Sequence, residues 1–261
     1  MIKYRTNIES CGFLKSPKGG FRGLFFLFLF PLWGLGGCSS DACLQGAGKT
    51  QERTVELSEF SALHVHNIFN IELVPDTCNK IVMRAGKNLL NSTKIEQNNG
   101  AVHLYNSSRC AMFKGFEKIN LRIHFSNIDT LNVWEACEIV SEQAIENNLF
   151  INMQATMCDI RLHLDNNSTK LANLNKAGGL IELYGQSTNA NFAVNYTAQL
   201  KAHNLQTENT TIVSTTIMDC TVHASQKLTA TANRNGKILY AGNPVEVIVK
   251  KGTVEVLPPI P

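Results

Sequence analysis

A column of ring-bearing side chains could bind a ligand. His163, Tyr184 and His203 each stand one residue beyond a short apolar alternation, at intervals close to twenty residues. If the apolar residues of each alternation point inward, the pleat of a strand sends these three side chains outward. Flat rings flanked by polar groups suit the faces of sugars, so the column predicts a ligand-binding ladder. The alternative is plain surface, where stacked like residues pack against one another.

A second outward column carries amides. Asn132, Asn152 and Asn173 each lie in the middle of an apolar alternation. An amide offers both hydrogen-bond donors and acceptors, as a sugar hydroxyl requires. We therefore expect these three asparagines to contribute ligand contacts beside the ladder.

Two carboxylates occupy one slot of neighbouring repeats, Glu138 and Asp159. A pair about 5 Å apart could perform acid/base chemistry on a glycoside. The slot continues as Leu180 and Gln199, and no Arg, Lys or further Asp accompanies the pair. The better account is a solvated acidic pair. The chain also lacks a Gly-x-Ser-x-Gly elbow, a His-Glu-x-x-His pair and a phosphate loop, so we predict no catalytic residues.

Small residues precede the second alternation of each repeat by two positions, and three of them are Cys137, Cys158 and Cys220. On adjacent coils about 4.8 Å apart, Cys137 and Cys158 could form a disulfide, or all three could be compact apolar residues. Cys220 is three coils beyond Cys158. No tetrahedral set of cysteines and histidines converges by spacing, so neither a metal nor another cofactor is expected.

The elements that must position these residues are two sets of short alternations with one period of about twenty residues. The first set begins at Leu131, Ile151, Ala172, Phe192, Ile212 and Leu228, and the second at Ile139, Ile160, Ile181, Leu200, Val222 and Ile238. Each unit is too short to bury its own apolar face, so units must stack around a shared axis. This predicts an all-β fold, a right-handed parallel β-helix (a solenoid).

Upstream, between residues 63 and 125, alternations recur with less regular spacing, which predicts wider, less regular N-terminal coils of the same body. The alternative architecture is an antiparallel sandwich with evenly spaced strands. Asn-Gly and Asp-Gly hairpin dipeptides are too rare to join so many neighbouring strands, which disfavours the sandwich.

The leader predicts export and anchoring. A basic opening is followed by an uncharged apolar run of 13 residues, 23–35, too short for a membrane span of about 20. Leu35-Gly-Gly-Cys38 then resembles a bacterial lipobox, although an ordinary secretory signal is the alternative. We predict a lipoprotein signal peptide at 1–37, lipidation of Cys38, a flexible tether at 38–50, one domain at 51–257 and a tail at 258–261.

Composition limits the partners. Apolar residues make up 44% of the chain, enough for a core. Lys and Arg exceed Asp and Glu by 24 to 21, but the leader holds five of the bases and one of the acids, which leaves the body at 19 minus 20, or −1. A body without a basic stripe argues against nucleic acid as a partner.

Several segments together resemble a known family. They are Gly46-Ala-Gly48 before Arg53–Phe60, the strand Leu63–Leu73, Asn88-Leu-Leu90, and most specifically Asn235-Gly-Lys-Ile-Leu-Tyr-Ala-Gly-Asn-Pro244. Across about residues 43–257 the chain is similar to the autotransporter-adhesin head, or GIN domain, proteins of bacterial envelopes. The resemblance implies a right-handed parallel β-helix like that of pectin lyases, without conserved catalytic residues, and a role in adhesion. The chain departs from the family in its turns, where most of the Gly-Ser-Gly-Asp glycines are missing.

These expectations leave three functions open. The first is a non-catalytic, lipid-anchored outer-membrane protein that binds glycans or envelope or host proteins on a lateral face, with its surface or periplasmic orientation undecided. The second is a polysaccharide lyase or glycoside hydrolase on the same fold. The third is a purely structural envelope protein.

Overall fold

The computed structural model describes residues 47–107, 118–154, 157–174 and 176–258, all within the second of two units of the chain, Ser40–Pro261. These residues form an all-β structure with one short helix, which confirms the predicted class. The predicted signal peptide, Cys38, most of the tether and residues 259–261 of the tail lie outside the described residues. No helix in the described part is long and apolar enough to cross a membrane.

Seventeen strands and one helix make up the described part of the chain. The first half contains β1 (Thr50–Glu56), β2 (Ala62–Val65), β3 (Asn70–Pro75), β4 (Lys80–Gly86), α1 (Lys87–Ser92), β5 (Thr93–Asn98), β6 (Ala101–Asn106), β7 (Asn120–Phe125), β8 (Thr130–Val133) and β9 (Glu138–Ile145). The second half contains β10 (Leu149–Gln154), β11 (Asp159–Leu174), β12 (Gly178–Thr216), β13 (Cys220–His223), β14 (Lys227–Ala232), β15 (Ile238–Ala241), β16 (Glu246–Lys251) and β17 (Val254–Val256).

From β8 onward, the strand pairs of the described residues are parallel and align residues about one repeat apart. Ile160 of β11 faces Ile139 of β9 on one side and Ile181 of β12 on the other. All three side chains are at most 1% exposed. The second apolar column therefore has the predicted register at these coils, because inward branched residues stack on like residues of the next coil.

The first column has a different register from the one predicted. Leu171, and not Ala172, faces Ile151, so Asn173 aligns with Met153. Leu171 and Asn173 are buried, whereas Leu174 is 42% exposed. The prediction failed because apolar residues stand at the outward positions of this segment and a polar one stands inward, so the hydrophobic alternation indicates the wrong face.

Register also shifts near the C-terminus. Ile212 faces Ala230 rather than Leu228, and Cys220 faces Ile238. Paired residues of these strands are thus 18 positions apart. The predicted alignment of Val222 with Ile238 was two residues out.

The sheet is mixed, which corrects the expectation that the N-terminal strands are simply wider coils. Antiparallel pairs join β1 to β4, β4 to β7 and β5 to β6. The last is a hairpin whose turn is Asn99-Gly100, with positive φ angles of 49° and 73°. Such angles match the twist of a two-residue hairpin, and glycine adopts them without a steric penalty.

The chain order of the N-terminal strands is not their spatial order. β2 lies between β6 and β8, and β3 lies between β7 and β9, in parallel pairs. The hairpin therefore carries β6 back to the far side of β2. As a result, residues nearly forty positions apart become neighbours, such as His64 and His103.

Candidate ligand-binding surfaces

The three side chains of the predicted ring ladder are partly buried, and two of them stack on each other. His163 and Tyr184 are register neighbours, and their rings stack with centroids 4.9 Å apart and an interplanar angle of 10°. The Arg161 guanidinium carbon lies 5.7 Å from the centroid of the Tyr184 ring, within cation–π range. The Tyr184 hydroxyl donates to the Ser141 carbonyl oxygen at 3.2 Å. These contacts use ring faces that a sugar would need.

His203 does not join this stack. Its Nδ1 is 2.8 Å from the Thr221 hydroxyl, and among the described residues its ring has no stacking partner. The ladder is thus one stacked pair followed by a hydrogen-bonded histidine.

The predicted asparagine column holds only in its first two members. Asn132 and Asn152 are register neighbours, and the Asn152 amide donates to Asn132 Oδ1 at 2.8 Å. Asn173, predicted to face outward, instead lies fully buried. Its Nδ2 donates to the carbonyls of Ala177 and Asn195 at 3.0 and 2.9 Å, and its Oδ1 accepts from the Asn195 backbone amide. It joins two coils and cannot contact a ligand on the outer face.

The two carboxylates of the predicted acidic pair have structural partners. Glu138 and Asp159 are register neighbours, as the repeat predicts. The Leu180 amide donates to Asp159 at 2.9 Å, and Glu138 is 3.7 Å from the Lys118 ammonium. These partners favour the structural account of the pair over an acid/base role.

A polar groove of about 710 Å³ lies next to the ring ladder. It begins two residues beyond His163 and Tyr184, at Asp165 and Gln186, and crosses several coils. Its lining is made of carboxylate, amide, hydroxyl and imidazole groups: Glu146, Asp165, Asn166, Asn167, Gln186, Ser187, Thr188, Gln206, Thr207, Glu208, His223 and Ser225. Such groups can donate to and accept from the hydroxyls of a sugar.

Hydrogen bonds between coils hold the floor of this groove. The buried Ser187 hydroxyl donates to Asn166 Oδ1 at 2.6 Å, and Gln186 Nε2 donates to Asp165 Oδ1 at 2.9 Å. The Thr207 backbone amide donates to His223 Nδ1 at 3.1 Å. Burial lowers the pKa of His223, which favours its neutral form and leaves one ring nitrogen as a donor. The polar groups are therefore held at fixed positions.

The cysteines differ in their roles. A disulfide joins Cys137 and Cys158, whose Cα atoms are 4.7 Å apart on neighbouring coils. Cys220 is a free thiol in the core, and burial raises its pKa. The disulfide thus lies immediately before strands β9 and β11, and it joins the points where these two neighbouring strands begin.

Three histidines that the repeat analysis did not connect meet on the outward face of β2 and β6. The possible metal-ligating atoms of His64, His66 and His103 all lie within 4.8 Å of one another. His66 Nε2 and His103 Nδ1 are hydrogen-bonded at 3.1 Å. Spacing along sequential repeats does not connect these histidines, and it is the β5–β6 hairpin that brings His103 beside His64.

Aromatic side chains flank this histidine cluster. The His66 ring lies between the rings of Tyr105 and Trp134, with centroid distances of 4.4 and 4.5 Å. Burial, followed by the charge of His103, lowers the pKa of both His64 and His66. The sequence signal for the cluster was the alternation His64-Val-His66, together with His103-Leu-Tyr105 after an Asn-Gly turn.

The sequence matches the model of a known protein family. The model described as "Putative auto-transporter adhesin, head GIN domain" matches residues 59–244. The chain belongs to this family. The resemblance seen in the sequence is therefore confirmed, and an adhesin-type family indicates a cell-surface or envelope protein. No curated protein shows a significant sequence match to this GIN-domain chain.

Solved structures share the fold. A putative adhesin from Bacteroides fragilis NCTC 9343 has a TM-score of 0.73 and 17% identity, covering 80% of this chain and 97% of its own. A putative adhesin from Parabacteroides distasonis ATCC 8503 has a TM-score of 0.59 and 16% identity, covering 81% and 98%. A putative lipid binding protein from the same strain has a TM-score of 0.56 and 17% identity, covering 80% and 97%. At these identities the likeness concerns the fold alone.

Proposed function

We propose that this GIN-domain protein is a non-catalytic, adhesin-type protein of the bacterial cell envelope that binds glycans in the polar groove beside the ring ladder. The observation that carries the proposal is the groove itself, about 710 Å³ in volume and lined throughout by hydrogen-bonding side chains. Binding sites for small ligands commonly have volumes of about 300–1,000 Å³. A lining of polar side chains suits a hydroxyl-rich ligand better than a lipid chain.

The proposed β-helix and lipid anchor would hold the groove at the cell envelope. The parallel ladders with offsets of about twenty residues support a right-handed parallel β-helix, whose lateral face would extend the groove along the coils. Lipidation at Cys38 would anchor the domain through the tether at 38–50, as an outer-membrane lipoprotein. Partners are then glycans or envelope or host proteins, and the membrane through the anchor.

The edge of the groove is formed by the ring ladder, His163, Tyr184 and His203, which lies beside the lining residues. Since His163 and Tyr184 cover each other's ring faces, they offer ring edges and side-chain donors to a ligand. Asn132 and Asn152 lie on the strands of the first column and are not part of the groove lining. We therefore assign ligand contact first to Asn167, Gln186 and Gln206.

Glycan-array binding of the detergent-solubilised full-length chain tests this function. The exposed lining residues Asn167 and Gln206 are changed to alanine together, and Lys170→Ala, an exposed change outside the lining, is the matched control. Loss of two ligand hydrogen bonds of about 1 kcal/mol each predicts about 30-fold weaker binding for the double variant. The control should bind like the wild type. Absence of any glycan binding by the wild type, or equal losses in both variants, would refute the proposal.

The anchor has a separate test. Cys38→Ser should leave the protein unlipidated and in the soluble periplasmic fraction, because the acylated cysteine is its proposed membrane attachment. Unchanged partitioning into the membrane fraction would remove the anchor from the proposal and leave the groove untouched.

A further inference from the structure

We propose that His64, His66 and His103 form a binding site for one divalent transition-metal ion. His64 lies in β2, His66 follows that strand directly, and His103 lies in β6. None of these three residues lines the polar groove. The proposal is therefore independent of glycan binding. It assigns the chain a second site with a different chemistry.

The spacing of the ring nitrogens is close to that of a tetrahedral site. Zinc–nitrogen bonds of about 2.0–2.1 Å place neighbouring ligand atoms about 3.4 Å apart. His66 Nε2 and His103 Nδ1 are already 3.1 Å apart. Because all three ligand atoms lie within 4.8 Å of one another, the remaining pairs need to close by at most about 1.4 Å, that is 4.8 minus about 3.4.

The backbone holds the three side chains on one side of the sheet. His64 and His66 are two residues apart, so the pleat directs both to the same face. His103 is the parallel register partner of His64, and the stacked rings have centroids 4.3 Å apart. The strand backbone fixes the three Cα positions, and the broad χ2 torsion of histidine leaves only ring rotation to complete the site.

Ring stacking disfavours a sugar at this cluster. The His64 and His103 rings cover each other, and the His66 ring stacks with Tyr105 and Trp134. Their faces are thus unavailable to a sugar ring. The three imidazole planes are within 22° of parallel, so binding of one ion requires ring rotation that brings the in-plane nitrogen lone pairs to a common point. Three imidazoles suit zinc, copper or nickel ions, while calcium and magnesium prefer oxygen ligands.

The surroundings of the cluster also suit a cation. Glu96, which forms an ion pair with Lys94, is directly opposite His103 in the antiparallel β5–β6 pair, so an acidic residue lies on the neighbouring strand. Tyr105 and Trp134 flank the site with aromatic rings, which limit solvent around the ligands. Three protein ligands leave a fourth position for water or an exogenous ligand.

Zinc titration of the full-length chain by isothermal titration calorimetry tests the site. We expect one Zn²⁺ per chain, and His103→Gln should weaken binding by at least about 100-fold, since even changes outside the ligand set cost 10–100-fold in metal sites. His124→Gln is the matched control. Its histidine hydrogen-bonds to Asp76, away from the cluster, so zinc affinity should stay at the wild-type value.

A second measurement excludes binding through thiols and checks the fold. Co²⁺ bound to the wild type should give a visible spectrum without a thiolate charge-transfer band, and His64→Gln should abolish that spectrum. Circular dichroism of each variant should match the wild type. The proposal is overturned if the wild type binds no zinc, if His103→Gln binds zinc as tightly as His124→Gln does, or if the cobalt spectrum shows thiolate ligation.

Discussion

Replacing Asn173 with alanine should destabilise the protein far more than its polar character suggests. The residue is 0% exposed, and its side chain bonds to the carbonyls of Ala177 and Asn195 and to the Asn195 amide. The variant leaves these three backbone groups without their partner. An unsatisfied buried polar group costs about 1–3 kcal/mol, and partial access of water at Asn195 reduces the sum, so we expect a loss of about 4 kcal/mol.

Urea denaturation, extrapolated to water, measures this loss in the full-length chain. Asn152→Ala is the matched control, because it removes one side-chain bond, to Asn132 at 2.8 Å, on the outward face of the preceding strand. The control should lose about 1 kcal/mol. If Asn173→Ala costs no more than Asn152→Ala, Asn173 faces outward and the register described for β10 and β11 is wrong.

Three further predictions concern stability. Gly185→Ala should cost about 2 kcal/mol or more in urea denaturation, because φ is +100° and the added Cβ would lie 2.2 Å from the Leu164 carbonyl oxygen of the preceding strand, β11. Gly100→Ala, with open space around it, should cost less. Replacing both Cys137 and Cys158 with alanine should lower the free energy of unfolding by about 3 kcal/mol and abolish the effect of a reductant on the melting temperature. Equal melting temperatures for the oxidised wild type, the reduced wild type and the double variant would contradict this. Hydrogen bonds lower the pKa of the Asp76 carboxyl from 3.8 to about 2. The ionised carboxylate therefore stabilises the folded state above pH 3.8, and this stabilisation is lost as the pH falls towards about 2. Over that pH range the melting temperature of Asp76→Asn should fall less than that of the wild type.

The sequence was most informative where apolar residues occupy the inward positions. Ile139, Ile160 and Ile181 stack as their period predicts, and the pair Cys137 and Cys158 lies beside them in the same coils. The same reasoning gave the wrong orientation for Asn173. A hydrophobic pattern does not indicate a buried amide whose hydrogen-bond partners are backbone groups of Ala177 and Asn195. Polar ladders inside a stacked fold satisfy hydrogen bonds that only the three-dimensional arrangement defines.

The histidine cluster could not be predicted from the period. Its members are brought together by a hairpin that returns β6 to the far side of β2, and a constant repeat places no two of them on adjacent coils. The turn at Asn99-Gly100 was the one local signal of that reversal. The polar groove was missed for another reason. Most of its residues lie within the long strands β11 and β12, where runs of polar residues interrupt the apolar alternation on which the sequence reasoning relied.

Hydrogen–deuterium exchange of the full-length chain, with and without a glycan identified on the array, tests the central claim most directly. We predict that the glycan slows exchange at 165–167, 186–188 and 206–208, the three continuous segments of the groove lining. Exchange in β2 and β6 should stay unchanged. Protection confined to any other surface would contradict the account, because it would place glycan binding outside the groove.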